Sequence, residues 1–159
     1  MKIHDIMPQL KKRQIPAVPQ HSDIQQVIAT MVRFPHTRLV YVVDADNRLC
    51  GTITVGSLLR HLFPYHYSSK VHGRGILRNI TADQADHIMD KATIYAGPDE
   101  SVDTVLKKMA QSGAKEIAIV DEQRRILTDI TAIDLLKYYE PRKQLHADQK
   151  KTDQLNSRP

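Results

Sequence analysis

Thr131 and Asp134 stand three residues apart, where the β-branched run Ile126 to Ile130 gives way to Ala132-Ile133-Asp134-Leu135-Leu136. That spacing places a hydroxyl and a carboxylate in the first turn of a helix. The hydroxyl and the unbonded N–H groups of such a turn can face an anion, and the carboxylate accepts hydrogen bonds from paired donors. The structural alternative is that Thr131 caps the helix and Asp134 favours its N-terminus through the macrodipole. Thr54 and Ser57 have the same spacing after Leu49 to Ile53, with a hydroxyl where the other pair has a carboxylate. Arg38 lies six residues before Asp44 and Lys115 six before Asp121, so each pair has a cation at the start of a preceding strand. Those cations are read either as anion contacts or as edge-strand charges that discourage aggregation.

Other chemistry is poorly supplied. The chain has no Gly-rich phosphate loop of the Walker type, no Gly-x-Ser-x-Gly turn and no His-Glu-x-x-His, so no catalytic residues are assigned. His61, His66 and His72 cluster near the middle of the chain. His61 and His66 are five apart with Pro64 between them, which is not the i, i+4 pair that puts two ligands on one helical face. No metal site is expected, and these histidines read as surface groups at a hinge or dimer contact. Cys50, in an apolar segment before Gly51, reads as a buried, inert thiol.

The elements that position these residues occur twice. The segment from Val42 to Leu59 returns as Ile119 to Leu136, and Thr54 and Thr131 stand 77 residues apart in a register that holds without a gap to Pro64 and Pro141. Such a repeat sets the architecture before any local assignment. Each copy opens on Asp5-Ile6-Met7 or His87-Ile88-Met89, followed by a short extended piece, Ile15 to Val18 or Thr93 to Ala96. An amphipathic helix comes next, burying Ile24, Val27, Ile28, Met31 and Val32 in one copy and Val102, Val105, Leu106, Met109 and Ala110 in the other. Ser22 with Gln25 forms a capping box for the first helix, and Gly113 ends the second in a left-handed cap. Strands follow at Leu39 to Val43 and Leu49 to Ile53, and at Ile117 to Val120 and Ile126 to Ile130. The last helix of each copy starts after Thr54 or Thr131 and ends by Pro64 or Pro141. Thr81 with Gln84 caps a short helix through Ile88. The expected boundaries are residues 2–64 for the first unit, 65–84 for a connecting loop and the start of that short helix, 85–141 for the second unit, and 142–159 for a polar, disordered tail.

Composition narrows the class. The chain has 159 residues, of which 41% are hydrophobic, enough for an aliphatic core without Trp. A net charge of +5, with the basic residues spread out and few aromatics, does not make the concentrated face of a nucleic-acid binder. No apolar run is long enough to span a bilayer, and Met1-Lys2-Ile3-His4-Asp5 lacks the apolar stretch of a signal peptide. With a single cysteine, the expected compartment is the cytoplasm.

A duplicated unit of this layout, with Val42-Val43-Asp44 turns and a strand-to-helix junction of the form Gly-x-x-Thr-x-x-Asp, resembles the cystathionine-β-synthase (CBS) domain, and two in tandem resemble a Bateman module. The resemblance covers Lys2 to Tyr139 and implies a mixed α/β (α+β) fold of two strand-helix-strand-strand-helix units packed as a pseudo-symmetric pair. In that family the junction contacts a nucleotide. The second copy, Thr128-Asp129-Ile130-Thr131-Ala132-Ile133-Asp134, keeps the Thr and Asp but has Thr128 in place of Gly. The first copy, Gly51-Thr52-Ile53-Thr54-Val55-Gly56-Ser57, keeps the Gly and Thr but has Ser57 in place of Asp. A carboxylate accepts from two neighbouring ribose hydroxyls, which one Ser oxygen reproduces less well. The resemblance therefore assigns Thr131, Asp134, Lys115, Thr93, Ile94 and Tyr95 to a competent second site. It assigns Thr54, Ser57, Arg38, Ile15, Pro16 and Ala17 to a compromised first one.

The function this implies is a non-catalytic regulatory protein with no resident cofactor. It would bind AMP, ADP or ATP between the repeats and signal to a protein partner by a shift in conformation, as a homodimer, without nucleic acid and without membrane insertion. Two alternatives stay open: a ligand-free dimeric scaffold, and a metal- or acid-sensing subunit of an ion transporter that uses the hinge histidines.

Overall fold

The computed structural model describes residues 1–10, 13–64 and 83–139. The elements run α1 (Ile3–Ile6), a 3-10 turn (Met7–Gln9), β1 (Ala17–Pro19), α2 (Ile24–Arg33), β2 (Leu39–Val43), β3 (Leu49–Thr54) and α3 (Val55–Leu62). They then run α4 (Ala85–Ile88), β4 (Tyr95–Ala96), α5 (Val102–Ser112), β5 (Glu116–Val120), β6 (Ile126–Thr131) and α6 (Ala132–Leu136). The two halves form separate three-stranded sheets, β1-β2-β3 and β4-β5-β6, each with a parallel first pair and an antiparallel second pair. The mixed α/β fold expected from the repeat is the observed one.

Period-two alternation explains how the sheets share the core. Along β2, Val40 and Val42 face helices, whereas Tyr41 and Val43 face the other sheet. Along β5, Ile117 and Ile119 face helices, and Ala118 and Val120 face back across the interface. Tyr41, Val43 and Leu49 thus pack with Ala118, Val120 and Ile126 in a cluster common to both halves. The turns interlock as well: Leu49 N donates to Arg124 O at 2.9 Å, and Ile126 N donates to Asn47 O at 3.1 Å. Asn47 and Arg124 occupy matching left-handed positions, with φ of 61° and 64°.

The opening helices are exchanged between the halves. Ile3 and Ile6 of α1 are fully buried among Ala96, Val102, Val105, Met109 and Ile117, the core of the second repeat. Ala85 of α4, with Ile88 and Met89 beside it, packs among Val18, Val27, Met31, Val40 and Ile53, the core of the first. The chain order that places α1 before β1 therefore does not place it against β1's helix.

Several local expectations shift. Asp23 and Gln26, not Ser22 and Gln25, form the capping box of α2. Ser22 is instead buried, and its carbonyl accepts from Ala85 N at 2.8 Å, fastening α4. Val32 and Ala110, the last positions of the two apolar patterns, lie at the edge of the buried stripe and are exposed. The extended pieces form ladder only from Ala17 and Tyr95 onward. Helix α4 begins after Gln84, which makes no side-chain cap; Thr81 lies outside the described residues. Helix α3 ends just before Pro64 as expected, but α6 stops at Leu136, well short of Pro141, which also lies outside them, as does residues 142–159. Cys50 is half-buried rather than buried, although burial still raises its thiol pKa. Gly113 has the left-handed φ of 75° that its cap requires.

Candidate functional site

Both junctions are built from the same cap. Thr131 is the N-cap of α6: its N–H donates to Asp134 Oδ2 at 3.1 Å, its Oγ1 donates to the same oxygen at 2.7 Å, and Oγ1 accepts from Asp134 N at 3.2 Å. Thr54 is the N-cap of α3, where Ser57 takes the carboxylate's place. Ser57 Oγ accepts from Thr54 N at 2.9 Å and donates to Thr54 O at 2.9 Å. The Ser57 hydroxyl is thereby used up by its own helix, whereas Asp134 keeps a second oxygen, Oδ1, which lies 3.9 Å from Lys137 Nζ. Antiparallel return strands bring the cations to these junctions through their backbones. Arg38 O accepts from Val55 N at 2.9 Å, and Lys115 O accepts from Ala132 N at 2.8 Å. Both cationic side chains are exposed.

Asp134 has a partner that sequence reasoning missed. Arg13 reaches from the segment before β1 and donates from Nη2 to Asp134 Oδ2 at 2.7 Å. Its Nε lies 4.0 Å from Oδ1 of Asp129, a residue 2% exposed. Burial alone would raise the Asp134 pKa, but the bonds from Thr131 and Arg13 outweigh it and hold the carboxyl below its ordinary range. Asp129 behaves oppositely: burial pushes it up, and Arg13 only partly offsets that. Tyr41 stands across the sheet interface from Asp129, and Glu116 lies on β5, in Asp129's own sheet. Burial, then the charges of Asp129 and Glu116, raise the Tyr41 phenol well above its usual range. Burial also raises Glu116, although its Oε1 accepts from Arg38 N at 2.9 Å. Tyr41 Oη and Asp129 Oδ1 are both buried without a hydrogen bond.

The first-strand segments split between the repeats. Thr93 Oγ1 bonds to Thr52 Oγ1 at 2.5 Å, and Thr52 and Asp90 exchange backbone bonds at 3.1 and 2.8 Å, so Thr93 is tied to the return strand of the first repeat. Ile94 packs on the second core, and the Tyr95 ring lies under Arg124, 4.8 Å from its guanidinium carbon. Ile15 and Ala17 line the inter-sheet cluster, and Pro16 O accepts from Tyr41 N at 2.8 Å. A groove of about 500 Å³ runs beside Ala17, Val18, Pro19, His21, Ser22 and Gln26; of the expected site residues it touches Ala17 alone.

His61 is partly buried with its pKa lowered by that burial; His66 and His72 lie outside the described residues. Among the described residues no three His, Cys, Asp or Glu side chains gather to hold a metal. Among them, too, no helix is long and apolar enough to cross a membrane.

A family model described as the CBS domain matches residues 4–64 and, a second time, residues 85–141. The chain belongs to the CBS-domain family. Among solved structures, a CBS domain-containing protein from Thermotoga maritima superposes with a TM-score of 0.70 at 26% identity, over 86% of this chain and 92% of that one. Two ligand-bound neighbours share the fold. CBSX2 in complex with AMP has a TM-score of 0.66 at 12% identity, over 86% of this chain and 94% of that one. The CBS domain pair of protein MJ0100, in complex with 5′-methylthioadenosine and S-adenosyl-L-methionine, has a TM-score of 0.63 at 22% identity, over 87% and 94%. A curated relative, the uncharacterized protein MJ1225 of Methanocaldococcus jannaschii, is 29% identical over 116 residues, 73% of this chain. The chain spans 40% of that relative's length.

Against the CBS pattern, the second copy departs at Thr128. At the matching Gly51, a side chain would meet Asp90 O at 2.6 Å, so glycine there permits the Thr52–Asp90 backbone bridge. In the second CBS copy, where Thr128 takes that place, Arg13 of the segment before β1 meets Asp134 and Asp129 through side-chain ion pairs. The signal for this was present in the chain. An Asp at 129 stands on a strand with Ile126, Leu127 and Ile130, at the position that the 77-residue register matches to Thr52.

Proposed function

We propose that this CBS pair is a non-catalytic regulatory protein that binds an adenine nucleotide, AMP, ADP or ATP, with the second junction as its ribose site. The observation that carries the reading is Asp134. Its carboxylate is held ionised at the head of α6 by Thr131, with Oδ1 left for donors such as ribose hydroxyls, where Ser57 offers none. Lys115, fixed through its carbonyl beside the same junction, supplies a cation for phosphate. Ile94 and Tyr95 form the adenine wall, whereas Thr93, bonded to Thr52, stands beside the first junction. Thr54, Ser57 and Arg38, with Ile15, Pro16 and Ala17, form a weaker counterpart. One neighbour of the fold is in complex with AMP and another with 5′-methylthioadenosine and S-adenosyl-L-methionine, which supports an adenosine-containing ligand; the preference for a phosphorylated one rests on this chain's own cations. Ligand bridging the repeats stabilises one orientation of the two sheets, which a protein partner reads as a population shift.

Calorimetric titration with AMP, ADP, ATP and S-adenosylmethionine tests the reading. Binding of the phosphorylated ligands, weakened by salt and by Lys115→Ala more than binding of adenosine is, supports it. Binding of S-adenosylmethionine alone, or of none, overturns it.

A further inference from the structure

Asp134 is not free to receive a ribose as it stands. Its Oδ2 already takes three donors, Thr131 N, Thr131 Oγ1 and Arg13 Nη2, and two hydroxyls of one ribose need both carboxylate oxygens. The Thr131 bonds belong to the helix cap and stay. The Arg13 bond comes from another part of the chain, on a side chain still 32% exposed. Beside it lies a carboxylate oxygen with no hydrogen bond: Asp129 Oδ1, buried, 4.0 Å from Arg13 Nε. A shift of about 1 Å would bring that contact into hydrogen-bond range. One guanidinium therefore faces two carboxylates, is fully bonded to one of them, and leaves the other unsatisfied.

We infer that Arg13 is an intramolecular occupant of Asp134 which a ribose must displace, and that Asp129 is the position to which it then moves. The inference rests on the proposed ribose role of Asp134. It makes Arg13 a residue that sets affinity and transmits occupancy. Arg13 lies two positions before Ile15, which packs on the inter-sheet cluster. Asp129 lies opposite Ala118 in the β5–β6 ladder, on the same inter-sheet face as Tyr41. Ligand on Asp134 thereby changes an ion pair that links the lead-in to the first sheet with a strand of the second. It also gives a role to the carboxylate of Asp129, where the matching position in the first repeat is the neutral Thr52.

The test uses adenosine, which has no phosphate to confuse the charge balance, in calorimetry on the full chain. Arg13→Gln removes the occupant and is expected to tighten adenosine by about five- to tenfold, the scale of one charge-assisted hydrogen bond. Asp129→Asn removes the alternative position and is expected to weaken adenosine several-fold, but to have no effect in the Arg13→Gln background. Unchanged or weaker binding by Arg13→Gln, or additive effects in the double variant, overturns the inference. A ligand-free arm separates it from the nucleotide reading. By carboxyl-carbon NMR, Asp134→Asn should lower the Asp129 titration, and by clearly more when Arg13 is present than in the Arg13→Gln background. If adenosine binds no variant, the ribose reading fails and the movement of Arg13 is judged on this titration; an equal drop in both backgrounds overturns it.

Discussion

Arg13 Nη2 lies 2.7 Å from Asp134 Oδ2, although 121 positions separate the two residues in the chain. The contact joins the segment leading into the first sheet to the head of the last helix. It does so at the junction where Thr128 stands at the position that Gly51 holds in the first repeat. Beside Gly51 the crossing segment of the second repeat is held by backbone bonds, Thr52 N to Asp90 O at 3.1 Å and Asp90 N to Thr52 O at 2.8 Å, with the Thr52–Thr93 hydroxyl pair next to them. The contacts at the first junction are thus uncharged, and the Arg13 contact at the second is charged and placed on the candidate ligand residue.

The uncharged crossing gives a direct stability prediction. A Cβ at Gly51 would stand 2.6 Å from Asp90 O and 2.8 Å from Met89 Sδ. The thioether can move, but the carbonyl belongs to the bridge. Gly51→Ala should destabilise by about 1–3 kcal/mol, the range for forced overpacking. Thr128→Ala at the matching position should change little. Urea midpoints for the two variants check this, and equal midpoints would remove the steric role given to Gly51.

The charged crossing predicts a pH dependence. Burial raises the folded-state pKa of Asp129 above its unfolded value. For a group shifted in that direction, the stability it contributes is full below the unfolded pKa, near 4, and is lost as pH rises through the folded pKa. Ionised Asp129 therefore costs stability at neutral pH. Asp129→Asn should raise the melting temperature at pH 7, with the gain shrinking as pH falls toward 4. Asp134 has the opposite sign, its folded pKa being lowered, so its contribution is present above the unfolded pKa and is lost as pH falls through the folded one. Asp134→Asn should therefore cost stability at pH 7, and thermal unfolding across pH distinguishes the two carboxylates.

Much of this was legible in the chain, and the parts that were not have a common cause. Thr54 and Thr131 cap their helices, the return strands start at Leu49 and Ile126, and Gly113 turns left-handed, because each depends on residues within a few positions of one another. The exchange of α1 and α4 between cores was not legible. Ile3 and Ile6 are apolar whichever core receives them, and nothing local states which. Arg13 is one of the basic residues spread along the chain, and nothing local singles it out, since its partner Asp134 lies at the far end of the chain. The anomaly that could have exposed it was Asp129, an acid on the ladder between the neutral Thr128 and Ile130.

Assembly follows from the faces left uncovered. On α3, Leu59 and Leu62 are 39% and 41% exposed; on α6, Ile133 and Leu136 are 68% and 53% exposed. Matching helices of the two repeats thus present apolar side chains that their own cores do not take, which suits a self-complementary contact. Light scattering at micromolar concentration should give a homodimer, and Leu62→Glu with Ile133→Glu should return it to monomer without loss of helical signal. A parent that is monomeric with and without nucleotide would rule this assembly out.

The ribose role of Asp134 predicts a pattern across ligands as well as a loss of affinity. Charge-assisted hydrogen bonds contribute roughly 1.5–3 kcal/mol each in favourable settings, and about 1.4 kcal/mol is a factor of ten in affinity. Asp134→Ala should therefore weaken AMP by about tenfold or more. Part of any gain from clearing Arg13 is forfeited in this variant, because the carboxylate that Arg13 obstructs is gone as well. The 2′-deoxy ligand should bind the parent more weakly than AMP does, yet the two should bind Asp134→Ala nearly alike. Ser57→Ala should leave AMP affinity unchanged, since that hydroxyl is spent on Thr54 N and Thr54 O. Calorimetry on the three proteins with both ligands decides the matter. If Asp134→Ala binds AMP like the parent, or keeps the parent's full preference for the 2′-hydroxyl, the carboxylate is a helix cap and the ribose is recognised elsewhere.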